Sequence, residues 1–264
     1  MPIGLAPFTI RYSMFEKADV ASTYQKLQAL GFGGVEGGIG RHWGYGAEEE
    51  KQLMDSYGMR LIDVWADPRK PDETMALADA YGTKLVCVGS VPNENLLSPE
   101  GFRAYARQLN ELAKPFAAAG FTLSYHNHAQ EFRNFAALGG RTGMDILIAE
   151  TDPESVAFCL DIFWASAAGA DPADWLRRLK GRTNLVHFKD YAMDDRSFET
   201  DMGRVPYRFA EIGQGNVNWK AVMEACRDIG IEWYCIEQDY TRGDAFDSLK
   251  TSVDYMRDTL GIES

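Results

Sequence analysis

Short apolar runs alternate with longer amphipathic stretches along the chain. Each run has the length and the β-branched or aromatic content that are typical of a strand buried on both faces. Eight such runs predict strands, at residues 8–13, 33–37, 61–66, 85–90, 122–128, 156–162, 184–190 and 233–238.

The stretches between the runs have the features of amphipathic helices. In the last of them, Phe246, Leu249, Val253 and Met256 recur at three- and four-residue spacing, which places them on one helix face. Three stretches stop at a glycine, the residue that most readily adopts a left-handed helix cap: Gly31, Gly120 and Gly230. The predicted helices span residues 19–30, 46–57, 72–81, 99–119, 136–149, 172–180, 217–229 and 243–260.

Strands that alternate with helices predict a parallel sheet. Eight strand–helix units in 264 residues average 33 residues each, which favours an α/β fold of the closed (β/α)₈ barrel type. A dinucleotide-binding open sheet is the main alternative, but the glycines of 31–40 lie across a predicted strand and not between a strand and a helix. No linker or repeat divides the chain, so we expect one TIM barrel domain over residues 1–264.

Composition and charge narrow the class of partner. The chain is 45% hydrophobic and 25% charged, as is usual for a globular protein. With 27 Lys plus Arg against 39 Asp plus Glu, its net charge of −12 argues against a nucleic-acid partner. No apolar run approaches the ~18 residues of a membrane-spanning helix, and the first residues do not resemble a signal peptide. We therefore expect no membrane partner and a cytoplasmic location.

The four cysteines lie far apart, mostly within apolar runs. This spacing indicates reduced core thiols and not a disulfide framework or a zinc ribbon. They are Cys87, Cys159, Cys226 and Cys235.

In a TIM barrel the active site lies at the carboxyl ends of the strands, so the polar residues that close each apolar run are the candidates for chemistry. Asp161, His187 and Glu237 close the sixth, seventh and eighth runs. Because buried carboxylates that converge need a cation, these residues predict one divalent metal ion. The mixed oxygen and nitrogen donors suit Mn²⁺, Mg²⁺, Co²⁺ or Zn²⁺.

The densest group of polar residues is YHNHAQEF at 125–132. Strand alternation places His126 and His128 on one face, and Glu131 lies on the loop beyond. Either His126 or Glu131 completes a four-ligand metal shell, and His128 is a general base or a hydrogen-bond donor to substrate. The alternative is a capping network that satisfies loop carbonyl groups.

Lys189 shares a strand face with His187, so it is a candidate to polarise a substrate oxygen or to hold a carboxylate in place. The alternative is a solvated lysine paired with Asp190. The glycines on either side of Gln214 would let backbone N–H groups approach an anionic or hydroxylated ligand. The candidate substrate-binding residues are Glu36, Trp65, His126, Trp164 and Gln214.

The serial order of these motifs resembles the xylose-isomerase-like TIM barrels. The similarity is to the sugar phosphate isomerase/epimerase group, which includes ketose 3-epimerases and inosose dehydratase. The segments that carry it are 31–37, 125–132, 159–172, 184–190, 211–219 and 234–239. The resemblance implies one divalent ion held at the ends of the fifth to eighth strands. Here those positions are the 126–131 region, represented by Glu131 or His126, with Asp161, His187 and Glu237.

Two positions depart from the family pattern. His126 stands where ketose epimerases carry a glutamate of their acid/base pair, and Trp164 stands where many relatives carry a histidine. Both departures bring the sequence closer to the dehydratase-like branch.

The resemblance implies a metal-dependent isomerase or epimerase that acts on a small sugar or keto-sugar through an enediolate. The catalytic residues are then Glu131, Glu237, His128 and Lys189. The alternatives are a keto-sugar dehydratase of the inosose dehydratase type and a non-catalytic sugar-binding barrel. The prediction allows a homo-oligomer.

Overall fold

A computed structural model of the protein describes residues 2–14, 16, 19–65, 67–193 and 207–262. Nine parallel strands in these residues form one sheet: β1 (Ile3–Leu5), β2 (Phe32–Val35), β3 (Arg60–Leu61), β4 (Val64–Trp65), β5 (Leu85–Gly89), β6 (Thr122–His126), β9 (Val156–Asp161), β10 (Leu185–Phe188) and β13 (Trp233–Ile236). Two antiparallel pairs lie outside it: β7 (Asn134–Phe135) with β8 (Arg141–Thr142), and β11 (Asp190–Met193) with β12 (Tyr207–Ala210).

Helices connect the strands in the order expected of a (β/α)₈ barrel, and this predicted fold is confirmed. The helices are α1 (Asp19–Leu30), α2 (Ala47–Ser56), α3 (Pro71–Tyr81), α4 (Pro99–Ala118), α5 (Gly143–Glu150), α6 (Ile162–Ala167), α7 (Pro172–Arg178), α8 (Trp219–Ile229) and α9 (Ala245–Asp258). That a single domain spans residues 1–264 stays a prediction.

One predicted strand joins both ends of the sheet. The strand order is β3-β2-β1-β13-β10-β9-β6-β5-β4. The two terminal strands, β3 and β4, lie at the start and near the end of the third predicted run, 61–66. Residue 66 lies outside the described part of the chain. Between them, the Ile62 N–H donates to Val35 O at 2.8 Å, and Asp63 O accepts from the Gly37 N–H at 3.1 Å. This change of partner brings the sheet close to a closed cylinder.

The first strand lies earlier than predicted. Residues 8–13 were expected to form it, but β1 is Ile3–Leu5, and Pro7–Ile10 form a short 3₁₀ helix. The cause is Pro7, which has no N–H for a strand ladder and a φ angle that suits the start of a helix.

Most predicted helices are present with shifted ends. The fifth begins at Gly143 and not at residue 136, because Thr142 caps it by accepting the Asp145 N–H at 3.1 Å. Helix α6 was not predicted, and it begins where the Trp164 N–H donates to Asp161 Oδ1 at 2.9 Å. The predicted glycine caps of α1, α4 and α8 all have positive φ.

A small apolar cluster fills the barrel interior below its carboxyl end. It contains Ile62, Cys87, Cys159, Leu185 and Cys235. Strand alternation places these side chains one layer below the polar strand-end residues. All four cysteines of the chain are free and buried, as predicted. No helix in the described segments is both long enough and apolar enough to cross a membrane.

Candidate metal centre

Four side chains from neighbouring strands meet at the carboxyl end of the barrel. They are His126 at the end of β6, Asp161 at the end of β9, His187 in β10 and Glu237 just after β13. Their potential ligand atoms all lie within 4.8 Å of one another. Asp161, His187 and Glu237 thus come together as the sequence predicted, and His126 is the fourth member. We call this set the metal cluster.

The cluster fits a divalent cation. His126 Nε2 and Asp161 Oδ2 are 3.5 Å apart, and both are buried without a hydrogen-bond partner in the described structure. A buried polar atom left unpaired costs about 1–3 kcal/mol. A cation between the two atoms would remove this cost, and two imidazoles with two carboxylates are suitable ligands for Zn²⁺, Mn²⁺ or Co²⁺.

His187 is held at both ring nitrogens. Nδ1 lies 3.0 Å from Glu237 Oε2, and Nε2 lies 3.0 Å from Glu36 Oε1. Burial alone would lower the pKa of His187, but Cys159 and the two glutamates raise it well above its ordinary value. A carboxylate on the second nitrogen of a ligating histidine orients the ring and fixes its tautomer.

Glu36 contacts a member of the metal cluster, His187. Its side chain is buried, and its Oε1 lies 3.0 Å from His187 Nε2, which points to a positioning role; that Glu36 binds substrate stays a prediction. Asp63 lies next to it and is fully buried. Burial and the charge of Glu36 raise the pKa of Asp63 well above its usual range.

Lys189 is buried beside the metal cluster. Its Nζ lies 2.6 Å from Asp239 Oδ1, 3.2 Å from Glu237 Oε2 and 3.8 Å from Asp161 Oδ2. Burial would lower the pKa of Lys189, but these carboxylates outweigh it and raise the pKa. The alternative of a solvated lysine paired with Asp190 is wrong, whereas a role toward substrate stays a prediction.

Asp190 accepts hydrogen bonds from the loop that follows the β11–β12 pair. Its carboxylate accepts the Gly213 N–H at 3.0 Å, the Gly215 N–H at 3.2 Å and the Trp219 indole N–H at 2.7 Å. The two glycine N–H groups are thus not free for a ligand, which corrects the prediction for this loop. Gln214 is exposed on the loop, and its assignment to substrate loses this basis.

Glu131 is not part of the metal cluster. Its Oε1 accepts the Tyr125 hydroxyl, and its Oε2 accepts the His128 N–H at 3.0 Å. Tyr125 points to the opposite strand face from His126 and packs on Tyr105 and Phe158. The carboxylate thus folds back to cap the turn behind the strand, which favours His126 over Glu131 as the fourth member of the metal cluster. The assignment of Glu131 as a metal ligand and proton carrier stays a prediction.

Glu131→Gln is expected to leave metal affinity within about twofold of wild type, because neither carboxylate oxygen faces the metal cluster. The amide cannot accept both donors in the same way, so unfolding in urea should show a loss of about 1–3 kcal/mol. Calorimetric metal titration and denaturation on one sample give both values. A large fall in metal affinity with unchanged stability would return Glu131 to the ligand set.

Aromatic side chains flank the metal cluster on two sides. The His128 ring lies 5.0 Å from the His126 ring and 5.5 Å from the Trp164 ring, between centroids. Burial and the neighbouring His126 lower the pKa of His128 to about 4, so the ring is neutral near pH 7. Trp65 packs edge-on against His126. The predicted roles of His128, Trp65 and Trp164 stay predictions.

Comparison with known proteins identifies the family. The sequence pattern of the xylose isomerase-like TIM barrels matches residues 24–259. The chain belongs to this family. The resemblance inferred from the motifs is thereby confirmed.

Two known proteins are similar to the chain over most of its length. An inosose dehydratase of Lacticaseibacillus casei is 25% identical over 272 residues, which cover 90% of this chain and 88% of that protein. The crystal structure of a sugar phosphate isomerase/epimerase from Parabacteroides distasonis superposes with a TM-score of 0.78 at 20% identity, covering 97% and 93% of the two chains.

A protein whose crystal structure contains zinc has the same fold. The crystal structure of the IolI protein with a zinc atom superposes with a TM-score of 0.71 at 15% identity and covers 99% of this chain and 98% of that one. At this identity the likeness shows a shared barrel.

Proposed function

We propose that this protein binds one divalent metal ion and a small keto-sugar, and that it removes a proton next to the sugar carbonyl to form an enediolate. The observation that carries the proposal is the metal cluster at the barrel mouth, with Lys189 beside it. When bound, the ion supplies Lewis-acid stabilisation for negative charge on the sugar oxygens.

His128 is the proton acceptor in this proposal. Its Nδ1 is buried and has no hydrogen-bond partner in the described residues, so this nitrogen is not committed to another group. Glu237 is assigned instead to the ion, because it belongs to the metal cluster and its Oε2 accepts from Lys189 and contacts His187. The Lys189 ammonium group donates a hydrogen bond to the substrate oxygen that gains charge.

A single proton carrier favours elimination over epimerisation. Epimerisation returns a proton to the opposite face of the carbon, which needs a second group. In elimination, His128 takes the proton, the electron pair of the broken C–H bond forms the new double bond, and the β-hydroxyl leaves as water with the proton from His128. The inosose dehydratase relative supports this outcome, so a keto-sugar dehydratase is our first candidate.

An isomerase or epimerase is the second candidate. The name of the Parabacteroides distasonis structure and its similarity over nearly the whole chain support it. This reaction would require a second proton carrier, and Glu237 would have to take this role while it belongs to the metal cluster.

Proton NMR in D₂O tests both candidates. The metal-loaded protein would be incubated with inosose, D-fructose and 3-keto-D-glucose, and we expect loss of water to an enone that absorbs in the ultraviolet. Deuterium in a rearranged or inverted sugar without an enone would identify the isomerase or epimerase. If no sugar exchanges a carbon-bound proton, the enzyme assignment is wrong and a non-catalytic sugar-binding barrel takes its place.

A further inference from the structure

Exposed apolar side chains gather at one end of the molecule. In the part of the chain that the structure describes, the large apolar side chains with the greatest exposure all lie at or after the carboxyl ends of barrel strands. They are Phe8, Tyr12, Trp65, Leu97, Met193, Tyr207 and Tyr240. Exposed apolar groups concentrated around one opening indicate a surface that contacts a ligand or a partner.

A cavity of about 410 Å³ opens beside two of these side chains, Tyr12 and Tyr240. Its volume is within the range of roughly 300–1,000 Å³ that is usual for small-molecule sites. Thr9, Ser13 and Asp239 add hydroxyl and carboxylate groups to its wall. Aromatic faces with nearby hydroxyl and carboxylate groups match a ring that has both apolar C–H faces and hydroxyl groups.

The cavity adjoins the metal cluster through Asp239. Asp239 lines the cavity, and its Oδ1 lies 2.6 Å from Lys189 Nζ, which in turn contacts Glu237. The cavity would therefore lie next to a sugar held at the cluster, on the side of the loops that follow β1 and β13.

Tyr12 is held in position from behind. The Arg11 guanidinium lies 3.7 Å from the Phe8 ring centroid and 4.3 Å from that of Tyr12, and it donates to Asp239 O. This arrangement links the Tyr12 ring to the loop that carries Asp239, so the ring costs little entropy to fix on binding.

We propose that the cavity between Tyr12 and Tyr240 is a subsite for a second ring, a sugar or a hydroxylated aglycone attached to the sugar at the metal cluster. The substrate is then a glycoside-like molecule and not a free monosaccharide. The position of the first sugar rests on the proposed function. The second ring stacks on the tyrosines, which are 73% and 64% exposed, and bonds to Ser13 and Asp239.

The test compares matched probes with one and two rings. D-fructose is paired with lactulose, and 3-keto-glucose with 3-keto-cellobiose, for the wild type and for Tyr12→Ala/Tyr240→Ala. We expect the ratio of kcat/KM for the larger over the smaller probe to fall about 10- to 100-fold in the double variant, from two lost stacking contacts. Tyr12→Phe/Tyr240→Phe keeps the rings and should retain most of the ratio.

Leu97→Ala is the matched control, because Leu97 is 71% exposed at the same barrel end but does not line the cavity. Its ratio should equal that of wild type. An equal fall in kcat/KM for both probe sizes in the tyrosine variant, or no fall, would overturn the subsite.

Saturation-transfer NMR with cellobiose and lactulose separates the subsite from the reaction. The wild type could bind the disaccharides and turn over no probe, while the tyrosine variant no longer binds them. In that case the proposed function fails and the subsite stands. If light scattering shows that the variant dissociates a dimer while disaccharide contacts persist, the surface joins two copies of the chain and the subsite is wrong.

Discussion

Asp161→Asn is expected to abolish tight metal binding and, with it, turnover. The substitution replaces an anionic oxygen in the metal cluster with a neutral amide. The loss of metal affinity should exceed the ~10–100-fold that is typical when only an outer partner of a ligand is removed. Metal titration by calorimetry, followed by the NMR assay on the same sample, measures both effects.

The helix that Asp161 caps makes this substitution interpretable. Asparagine keeps an oxygen that can accept the Trp164 N–H, so α6 should stay folded. Asp171→Asn is the matched control, because Asp171 caps α7 by accepting the Ala173 N–H at 2.9 Å and does not belong to the metal cluster. If the two variants bind metal equally well, the metal cluster is wrongly assigned.

His128→Asn should keep the metal and lose about 10²–10⁴ in rate, which is the usual contribution of a positioned general acid or base. His128 is not part of the metal cluster, so metal affinity should stay within about threefold of wild type. The exposed His42 offers a control variant, His42→Asn, which is expected to retain full rate. A rate for His128→Asn close to wild type would remove His128 from the proposed reaction.

Part of the site follows directly from the hydrophobic pattern. Once eight parallel strands are assigned, the residues that close consecutive strands must meet at one edge, which is why Asp161, His187 and Glu237 were found without structural information. The first strand was misplaced because three residues, Ile3–Leu5, are too short a run to stand out before the proline at position 7.

Side-chain direction after a strand ends is harder to predict. His126 and Glu131 were equal candidates for the metal, and the choice depends on a turn that folds Glu131 back to Tyr125. The alternation of Tyr125 and His126 places the tyrosine outside the barrel, but the bond between Glu131 and Tyr125 is visible only in the structure.

The hydrogen-bond partners of buried carboxylates could not be predicted from the sequence. Glu36 follows a strand as a substrate-binding residue would, and only the distance to His187 shows its use. Glu50 is one of three consecutive glutamates in α2, yet it alone of them is buried, where it accepts the hydroxyl groups of Tyr24 and Tyr81. Which of three neighbours turns inward depends on tertiary packing.

The Asp190 carboxylate also has a consequence for hydrogen exchange. It accepts the N–H groups of Gly213, Gly215 and Val217. We therefore expect these three amides to exchange with solvent when the loop opens and all three hydrogen bonds break together. The loop, the start of β11 and Trp219 at the start of α8 should therefore open as one cooperative unit, with similar protection factors. Since Asp190 directly follows Lys189, this unit also fixes the backbone from which the lysine reaches the metal cluster.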